Sequence, residues 1–171
     1  ENEGLSRTLE SLSNANQLDG LILESGYHSI SEPVRWQMMR TFVSCKNIVL
    51  IDRDGVINKK APRGEYVSSW DEFDWIQDSL EALRSIARNG FKFIIISNQA
   101  GIARGMLSAK NLAEIHGRMT EELAAMGIDI VDIFVCPHHW DDKCRCRKPN
   151  PGLFFEASRK HNFRLDQTIY L

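Results

Sequence analysis

The sequence predicts an α/β fold with a central, mainly parallel sheet. Four short apolar runs are the candidate strands: NIVLI (47–51), FKFIII (91–96), IVDIFV (130–135) and TIYL (168–171). Each run is rich in β-branched or aromatic residues and is almost continuously apolar, which is typical of strands buried on both faces of a parallel sheet. Helical patterns lie between the runs, and strands that alternate with helices form right-handed βαβ units.

Three helices are predicted between these strands. In the first two, apolar residues recur at helical spacing: Ile76, Leu80, Leu83 and Ala87, then Leu112, Ile115, Met119, Leu123 and Met126. Asp78 is the expected N-cap of a DSLE capping box in the first helix, which Asn89-Gly90 ends. Ser108 caps the second helix, and Gly127 lies beyond its end. Asn150-Pro151 opens the third helix as N-cap and first helical residue.

Composition limits the possible functions. The chain has 171 residues, of which 43% are apolar and 26% charged, as in ordinary globular proteins. Its net charge of −2 gives no basis for binding nucleic acid or an anionic membrane. No apolar run approaches the roughly 18 residues of a membrane span, and no signal peptide is visible, so a cytoplasmic protein is expected. Residues 1–46 lack the strand–helix rhythm of residues 47–171. They are interpreted as an N-terminal extension or the tail of an upstream domain, which makes a fusion possible.

Polar residues follow three of the predicted strands. Asp52 and Asp54 come after the first, Ser97-Asn98-Gln99 after the second and Cys136 after the third. In open α/β sheets, ligands bind outside the carboxyl ends of the strands. The spacing therefore predicts a functional site at this edge of the sheet.

Two carboxylates this close repel each other, and a divalent cation such as Mg²⁺ would offset the repulsion. Asp52 can then act as a nucleophile that forms an aspartyl-phosphate. Asp54 can protonate the leaving oxygen and later activate water. Donors for the phosphoryl oxygens are available in Ser97 and Asn98, and Lys148 can supply positive charge.

A second cluster has the composition of a metal site. Its members are Cys136, His138, Cys144 and Cys146. Three thiolates and one imidazole are a tetrahedral zinc set, and four protein ligands leave no position open for water. The predicted zinc is therefore structural, and it would shape the loop that carries Arg147 and Lys148.

Three segments resemble the first three signature motifs of the haloacid dehalogenase superfamily of phosphatases: IDRDGVIN (51–58), SNQAGIARG (97–105) and CPHHWDDKCRCRKPNPG (136–152). The sequence is most similar to the branch that holds heptose bisphosphate and histidinol-phosphate phosphatases, from about Asn47 to the end. The resemblance implies a Rossmann-like three-layer sandwich with a zinc-binding loop.

The resemblance also implies a role for each matching residue. Asp52 matches the nucleophile, and Asp54 matches the acid/base, whose backbone carbonyl also meets Mg²⁺. The matching substrate- and phosphate-binding residues are Ser97, Asn98, Arg147 and Lys148. The same branch has a zinc loop with the four ligands named above. Arg104 is expected either to face a sugar phosphate or to be a surface arginine of its loop.

Within this branch, SNQAGIARG and the segment GEYVSSWDEFDWI (64–76) are similar to the heptose enzymes. The expected reaction is therefore hydrolysis of the 7-phosphate of D-glycero-D-manno-heptose 1,7-bisphosphate. The short spacer between His138 and Cys144 is similar to that of histidinol-phosphate phosphatases, which are the alternative. A polynucleotide phosphatase is a weaker third candidate, because the sequence has no basic stripe for a phosphate backbone.

The superfamily has a fourth motif, an acidic Gly-Asp stretch after the fourth core strand, whose aspartate completes the Mg²⁺ site. The sequence stops at TIYL (168–171), so truncation before this motif is expected, and activity is predicted for the complete protein. A non-catalytic binding or scaffold module fused to another enzyme is the alternative from a different class. The intact Asp52, Asp54, Ser97 and Lys148 argue against it.

Overall fold

The computed structural model describes residues 47–171, so the predicted extension 1–46 lies outside the described residues. Strands and helices alternate in the order β1 (Ile48–Ile51), α1 (Gln77–Arg88), β2 (Lys92–Asn98), α2 (Ala109–Ala125), β3 (Ile130–Cys136), α3 (Gly152–His161) and β4 (Ile169–Tyr170). The predicted α/β alternation is confirmed. Within 47–171, no helix combines the length and apolar composition needed to cross a bilayer.

The four strands form one sheet in the order β3-β2-β1-β4, and every neighbouring pair is parallel. Ile51 at the end of β1 is in register with Ile95, and Asn98 at the end of β2 is in register with Cys136. The predicted parallel sheet is confirmed, and the carboxyl ends of β1, β2 and β3 lie at one edge.

Side chains of the central strands alternate between two buried faces, as the two-residue period of a strand requires. One face packs against α1 and α2: Val49, Ile51, Phe93 and Ile95 from the strands, with Leu80, Leu83, Met119 and Leu123 from the helices. The other packs against α3: Ile48, Leu50, Ile94 and Ile96, with Leu153 and Ala157. Each fully buried side chain of this kind contributes roughly 1.5–3 kcal/mol. The three-layer sandwich is confirmed.

Several predicted helix boundaries are confirmed. The Ser108 hydroxyl accepts a hydrogen bond of 3.0 Å from the backbone N–H of Asn111, which caps α2. Gly90 and Gly127 follow α1 and α2 with φ of +80° and +79°, a conformation that glycine adopts without strain. Both helices therefore end where the sequence predicted.

Two predicted caps are wrong. Asp78 lies in the first turn of α1, and Ile76 is the N-cap. The backbone N–H of Ile76 donates to the carbonyl of Ile57 at 3.0 Å, which holds Ile76 extended so that the helix begins directly after it. The third helix likewise begins one residue later, with Pro151 as N-cap. The Asn150 amide instead donates to the Cys144 carbonyl at 2.8 Å and ties the helix start to the preceding loop.

Candidate active site

The ends of three parallel strands assemble the candidate site. Asp52 follows β1, Ser97 and Asn98 end β2, and Cys136 ends β3. The backbone N–H of Gln99 donates to the Cys136 carbonyl at 2.8 Å, which continues the strand pairing beyond β2. The predicted convergence of polar residues on one edge of the sheet is confirmed.

Asp52 is anchored by its backbone and through one carboxylate oxygen. Its N–H donates to the carbonyl of Leu171 at 2.8 Å. Oδ1 accepts hydrogen bonds of 2.8 Å from the backbone N–H of Arg53 and from Lys148 Nζ. Among the described residues, no donor contacts Oδ2, and the side chain is 30% exposed. Asp52 thus presents one oriented, accessible oxygen.

Lys148 has a partner for each of its three ammonium protons. Nζ donates to the Ile96 carbonyl at 2.6 Å, to the Tyr170 hydroxyl at 2.7 Å and to Asp52 Oδ1 at 2.8 Å. Its backbone is held by the Asn98 side chain, whose Oδ1 accepts from Lys148 N at 3.0 Å and whose Nδ2 donates to Lys148 O at 3.1 Å. Asn98 thus holds the lysine whose charge stabilises Asp52.

Asp54 is surrounded by donors on both carboxylate oxygens. Arg53 Nη2 donates to Oδ1 at 2.8 Å and to Oδ2 at 3.0 Å. Asn58 Nδ2 donates to Oδ1 at 3.0 Å, and Gln99 Nε2 donates to Oδ2 at 2.7 Å. The two aspartates therefore have different cations, Lys148 for Asp52 and Arg53 for Asp54, which offsets their mutual repulsion.

Arg53 is a site residue that sequence reasoning missed. Its side chain is 1% exposed, and its Nη1 lies 3.3 Å from Nε2 of His116 on α2. Because a guanidinium can only donate, Nε2 accepts and the imidazole is neutral. Burial, followed by the Arg53 charge, lowers the pKa of His116 to about 4. The sequence did contain a signal for this role, because Arg53 directly follows a buried strand and lies between two acids. A buried charge requires a partner, and a neighbouring aspartate can provide it.

Gln99 links two of the predicted residues. Its Nε2 donates to the Ser97 hydroxyl oxygen at 2.8 Å as well as to Asp54. Both Ser97 and Gln99 are 1% exposed. Sequence reasoning placed Gln99 at the strand end but gave it no role. The structure makes it the connection between the β2 end and the acid/base candidate.

The two predicted arginines lie on loops around the site. Arg147 Nη1 donates to the His138 carbonyl at 3.4 Å, within the cysteine-rich loop. Arg104 Nη1 donates to the Gly64 carbonyl and to the Tyr66 hydroxyl, both at 3.3 Å. The Arg104 guanidinium also lies 5.6 Å from the centre of the Tyr66 ring. Substrate contact by these two arginines stays a prediction.

The four predicted zinc ligands come together. Their ligand atoms lie within 4.8 Å of one another: Cys136, His138, Cys144 and Cys146. The sulfur–sulfur distances are 3.4 to 3.6 Å. Tetrahedral zinc with bonds of about 2.3 Å separates its sulfur ligands by about 3.8 Å, so the cluster fits the ion within a few tenths of an ångström.

The chemistry of the thiols also fits a cation. Burial, followed by hydrogen bonds from the other two thiols, raises the pKa of Cys146 to about 12. Burial also raises the pKa of Cys136. A raised pKa favours the neutral thiol, whereas a bound divalent cation favours the thiolate, which ligates the cation directly. The cluster is therefore suited to a structural metal.

A second set of donors consists of oxygens. Among the described residues, neither Asp52 Oδ2 nor the backbone carbonyl of Asp54 accepts a hydrogen bond. A free carboxylate oxygen and a free carbonyl are hard ligands of the kind that Mg²⁺ prefers. These two atoms fit the predicted magnesium site.

The family model described as polynucleotide kinase 3 phosphatase matches residues 47–171. The D-glycero-alpha-D-manno-heptose-1,7-bisphosphate 7-phosphatase of Mycobacterium bovis is 37% identical over 113 residues, which cover 66% of this chain and 59% of the relative. The D-glycero-beta-D-manno-heptose-1,7-bisphosphate 7-phosphatase of Bordetella bronchiseptica is 36% identical over 118 residues, which cover 69% and 65%. The chain thus spans less than two thirds of the length of these curated relatives.

A solved structure has the same fold. It is the crystal structure of the D,D-heptose 1,7-bisphosphate phosphatase from B. bronchiseptica, complexed with magnesium and phosphate. The TM-score is 0.63 at 36% identity, and the match covers 68% of this chain and 64% of that chain. The predicted resemblance to this branch of phosphatases is confirmed.

The buried histidine gives the described domain a predictable pH dependence. The pKa of His116 is about 6.5 in the unfolded chain and about 4 in the folded protein. Between these values the unfolded chain binds the extra proton, so stability falls as the pH falls through this window. Between pH 7 and pH 5, the free energy of unfolding of the unmodified protein should fall by about 2 kcal/mol more than that of His116→Gln. Urea denaturation of both proteins at the two pH values measures this difference. An equal loss in both proteins would contradict the buried, neutral imidazole.

Proposed function

Because the chain belongs to the polynucleotide kinase 3 phosphatase family, we propose that the complete protein is a Mg²⁺-dependent phosphatase of small phosphorylated sugars. The proposed substrate is D-glycero-D-manno-heptose 1,7-bisphosphate, from which the enzyme would remove the 7-phosphate. Relatives that carry this activity in their names, at 36 to 37% identity, support the choice. The proposal concerns the complete protein, since the chain spans 59 to 65% of those relatives.

The observation that supports the proposal most strongly is the arrangement of the two carboxylate oxygens of Asp52. One of its oxygens is fixed by Lys148 and Arg53, and the other is accessible and unpaired among the described residues. In the proposed reaction, Asp52 Oδ2 forms a bond to phosphorus while the bond from phosphorus to the sugar oxygen breaks. The product of this step is an aspartyl-phosphate. Water then attacks the phosphorus and releases inorganic phosphate, which regenerates the carboxylate.

Asp54 is the proposed proton carrier for both steps. It gives a proton to the departing sugar oxygen and takes one from the attacking water. Arg53, Asn58 and Gln99 donate to its two oxygens and fix its orientation.

Positive charge and hydrogen-bond donors stabilise the phosphoryl group in this proposal. Lys148 lies beside the nucleophile, and the Ser97 hydroxyl can turn its hydrogen towards a phosphoryl oxygen. The Asp52 carboxylate and the Asp54 backbone carbonyl are the proposed ligands of Mg²⁺, which when bound would offset the charge of the phosphoryl oxygens. Lys148, Ser97 and Mg²⁺ are thus the proposed sources of charge and of a hydrogen-bond donor for the phosphoryl group.

The cysteine cluster has a supporting role in the proposal. Cys136, His138, Cys144 and Cys146 would hold one zinc ion that fixes the loop between β3 and α3. That loop carries Lys148, so its conformation sets the position of the ammonium beside Asp52. Reduced thiols suit the cytoplasm, which is the proposed compartment.

The central test replaces the proposed nucleophile in the complete protein. Asp52→Asn should lower phosphate release from heptose bisphosphate by at least roughly 10³-fold, because an amide oxygen cannot carry the phosphoryl group through the reaction. Asp71→Asn, at an exposed aspartate away from the strand ends, is the matched control and should keep full activity. Phosphate release with Mg²⁺ is measured on heptose bisphosphate, histidinol phosphate and a 3′-phosphorylated oligonucleotide.

Three outcomes of this test are decisive. Full activity in Asp52→Asn would refute the assigned nucleophile. No phosphate release from any of the three substrates by the unmodified protein would refute the phosphatase, and it would favour the scaffold alternative. Faster turnover of histidinol phosphate or of the oligonucleotide would replace the proposed substrate.

The zinc proposal has an independent test in metal content. We expect about one zinc per chain by elemental analysis of protein purified without chelator. Cys146→Ser should lose most of that zinc and lower the thermal midpoint, because a structural metal stabilises the fold. Cys45→Ser, at the cysteine remote in sequence from the cluster, is the control and should keep the metal. Equal zinc content in both variants would contradict the assigned ligands.

A further inference from the structure

The candidate acid/base is connected to helix α2 through the buried side chain of Arg53. One edge of the Arg53 guanidinium faces Asp54: Nε donates to Oδ1 at 3.2 Å, and Nη2 donates to Oδ1 at 2.8 Å and to Oδ2 at 3.0 Å. The remaining nitrogen, Nη1, lies 3.3 Å from Nε2 of His116 on α2. The guanidinium therefore bridges the space between the carboxylate and the helix.

His116 holds the part of Arg53 that Asp54 does not reach. Within residues 47–171, the imidazole of His116 is the one acceptor that contacts Arg53 Nη1. Arg53 is 1% exposed, so solvent has little access to this nitrogen. A buried donor that loses its acceptor is costly, and the planar guanidinium would turn towards another acceptor. The orientation of Arg53 against Asp54 thus depends on His116.

Helix α2 fixes the position of the imidazole. Ile115, which precedes His116, and Met119, which lies one turn later, are both 0% exposed and pack in the core. The Thr120 hydroxyl donates to the His116 carbonyl at 2.7 Å. Burial, followed by the Arg53 charge, lowers the pKa of His116 to about 4, so the ring is neutral and can accept at neutral pH. A fixed, neutral acceptor therefore faces Arg53 from the helix.

Arg53 makes a contact with Asp54 that the other donors do not make. Asn58 Nδ2 reaches Oδ1 at 3.0 Å, and Gln99 Nε2 reaches Oδ2 at 2.7 Å. Among the described residues, Arg53 is the one donor that contacts both oxygens and the one cation that pairs with this carboxylate. If Arg53 turned, the two amides would still hold Asp54 near its place. A partial loss of its function is therefore expected, and not a complete one.

We propose that His116 is a positioning residue of the proposed phosphatase: it fixes Arg53, which in turn fixes the direction in which Asp54 presents its proton to the leaving oxygen. The inference rests on the proposed function and adds a residue from α2, away from the strand ends. A general acid is effective when its proton lies within hydrogen-bond reach of the oxygen that it protonates. A turned Asp54 should therefore slow the cleavage of an ester whose leaving group needs a proton.

The test compares two leaving groups in the complete protein with Mg²⁺. The sugar alkoxide that leaves heptose bisphosphate needs a proton, whereas the phenolate that leaves p-nitrophenyl phosphate does not. His116→Leu removes the acceptor and should lower kcat/KM on heptose bisphosphate about 10-fold, which is part of the roughly 10²- to 10⁴-fold that an acid/base contributes. On p-nitrophenyl phosphate, kcat/KM of this variant should change less than about twofold.

Two amide variants test whether the acceptor itself matters. The amide oxygen of His116→Gln can lie near the position of Nε2 and accept from Arg53, so kcat/KM on heptose bisphosphate should stay within about threefold of the unmodified protein. His116→Asn carries the same amide on a side chain too short to reach, and it should behave like His116→Leu. It also provides the comparison if the leucine variant does not fold. Arg118→Gln alters an exposed ion pair with Glu114 on the same helix and should leave both substrates unchanged.

The outcomes separate this inference from the function beneath it. If neither His116→Leu nor His116→Asn lost activity on heptose bisphosphate, or if both lost equally on the two substrates, the role of His116 would be overturned while the phosphatase stands. Equal losses in His116→Gln and His116→Asn would refute the hydrogen bond to Arg53 as the cause. No phosphate release from either substrate by the unmodified protein would overturn the proposed function, and this inference with it.

Discussion

The ammonium of Lys148 is the contact on which the site depends, because it joins separate parts of the fold at one point. It donates to Asp52 after β1, to the Ile96 carbonyl of β2 and to the Tyr170 hydroxyl of β4, all within 2.8 Å. The lysine itself lies on the loop that follows β3, where the Asn98 side chain pairs with its backbone. One cation thus fixes the nucleophile candidate relative to the rest of the sheet edge.

The paired aspartates are tolerated because each has its own cation. A buried arginine is costly unless it is fully paired, and Arg53 meets this condition through Asp54 and the neutral His116. Arg53 therefore fixes Asp54 from inside the protein while Lys148 fixes Asp52 from the loop side. The accessible oxygen of Asp52 is left facing the solvent, where a phosphate ester and a cation can reach it.

Much of this arrangement could be predicted from local sequence, because parallel strands bring their carboxyl ends together whatever the intervening helices contain. The positions of Asp52, Ser97 and Cys136 followed from that rule, and the cysteine cluster followed from ligand type and spacing. The Arg53–His116 contact could not be predicted, since its partners are 63 residues apart and no periodicity links them. The Asp78 cap failed for a similar reason, because a tertiary hydrogen bond to Ile57 sets the helix start.

The central claim of this account is that phosphate passes through a covalent bond to Asp52. Rapid quenching of the complete protein during turnover of its sugar phosphate, followed by borohydride reduction and peptide mass analysis, tests it directly. The account predicts that the peptide containing Asp52 carries homoserine at that position, because an acyl phosphate is reduced to the alcohol. An unmodified Asp52 peptide while substrate is being consumed, or homoserine at another aspartate, would contradict it.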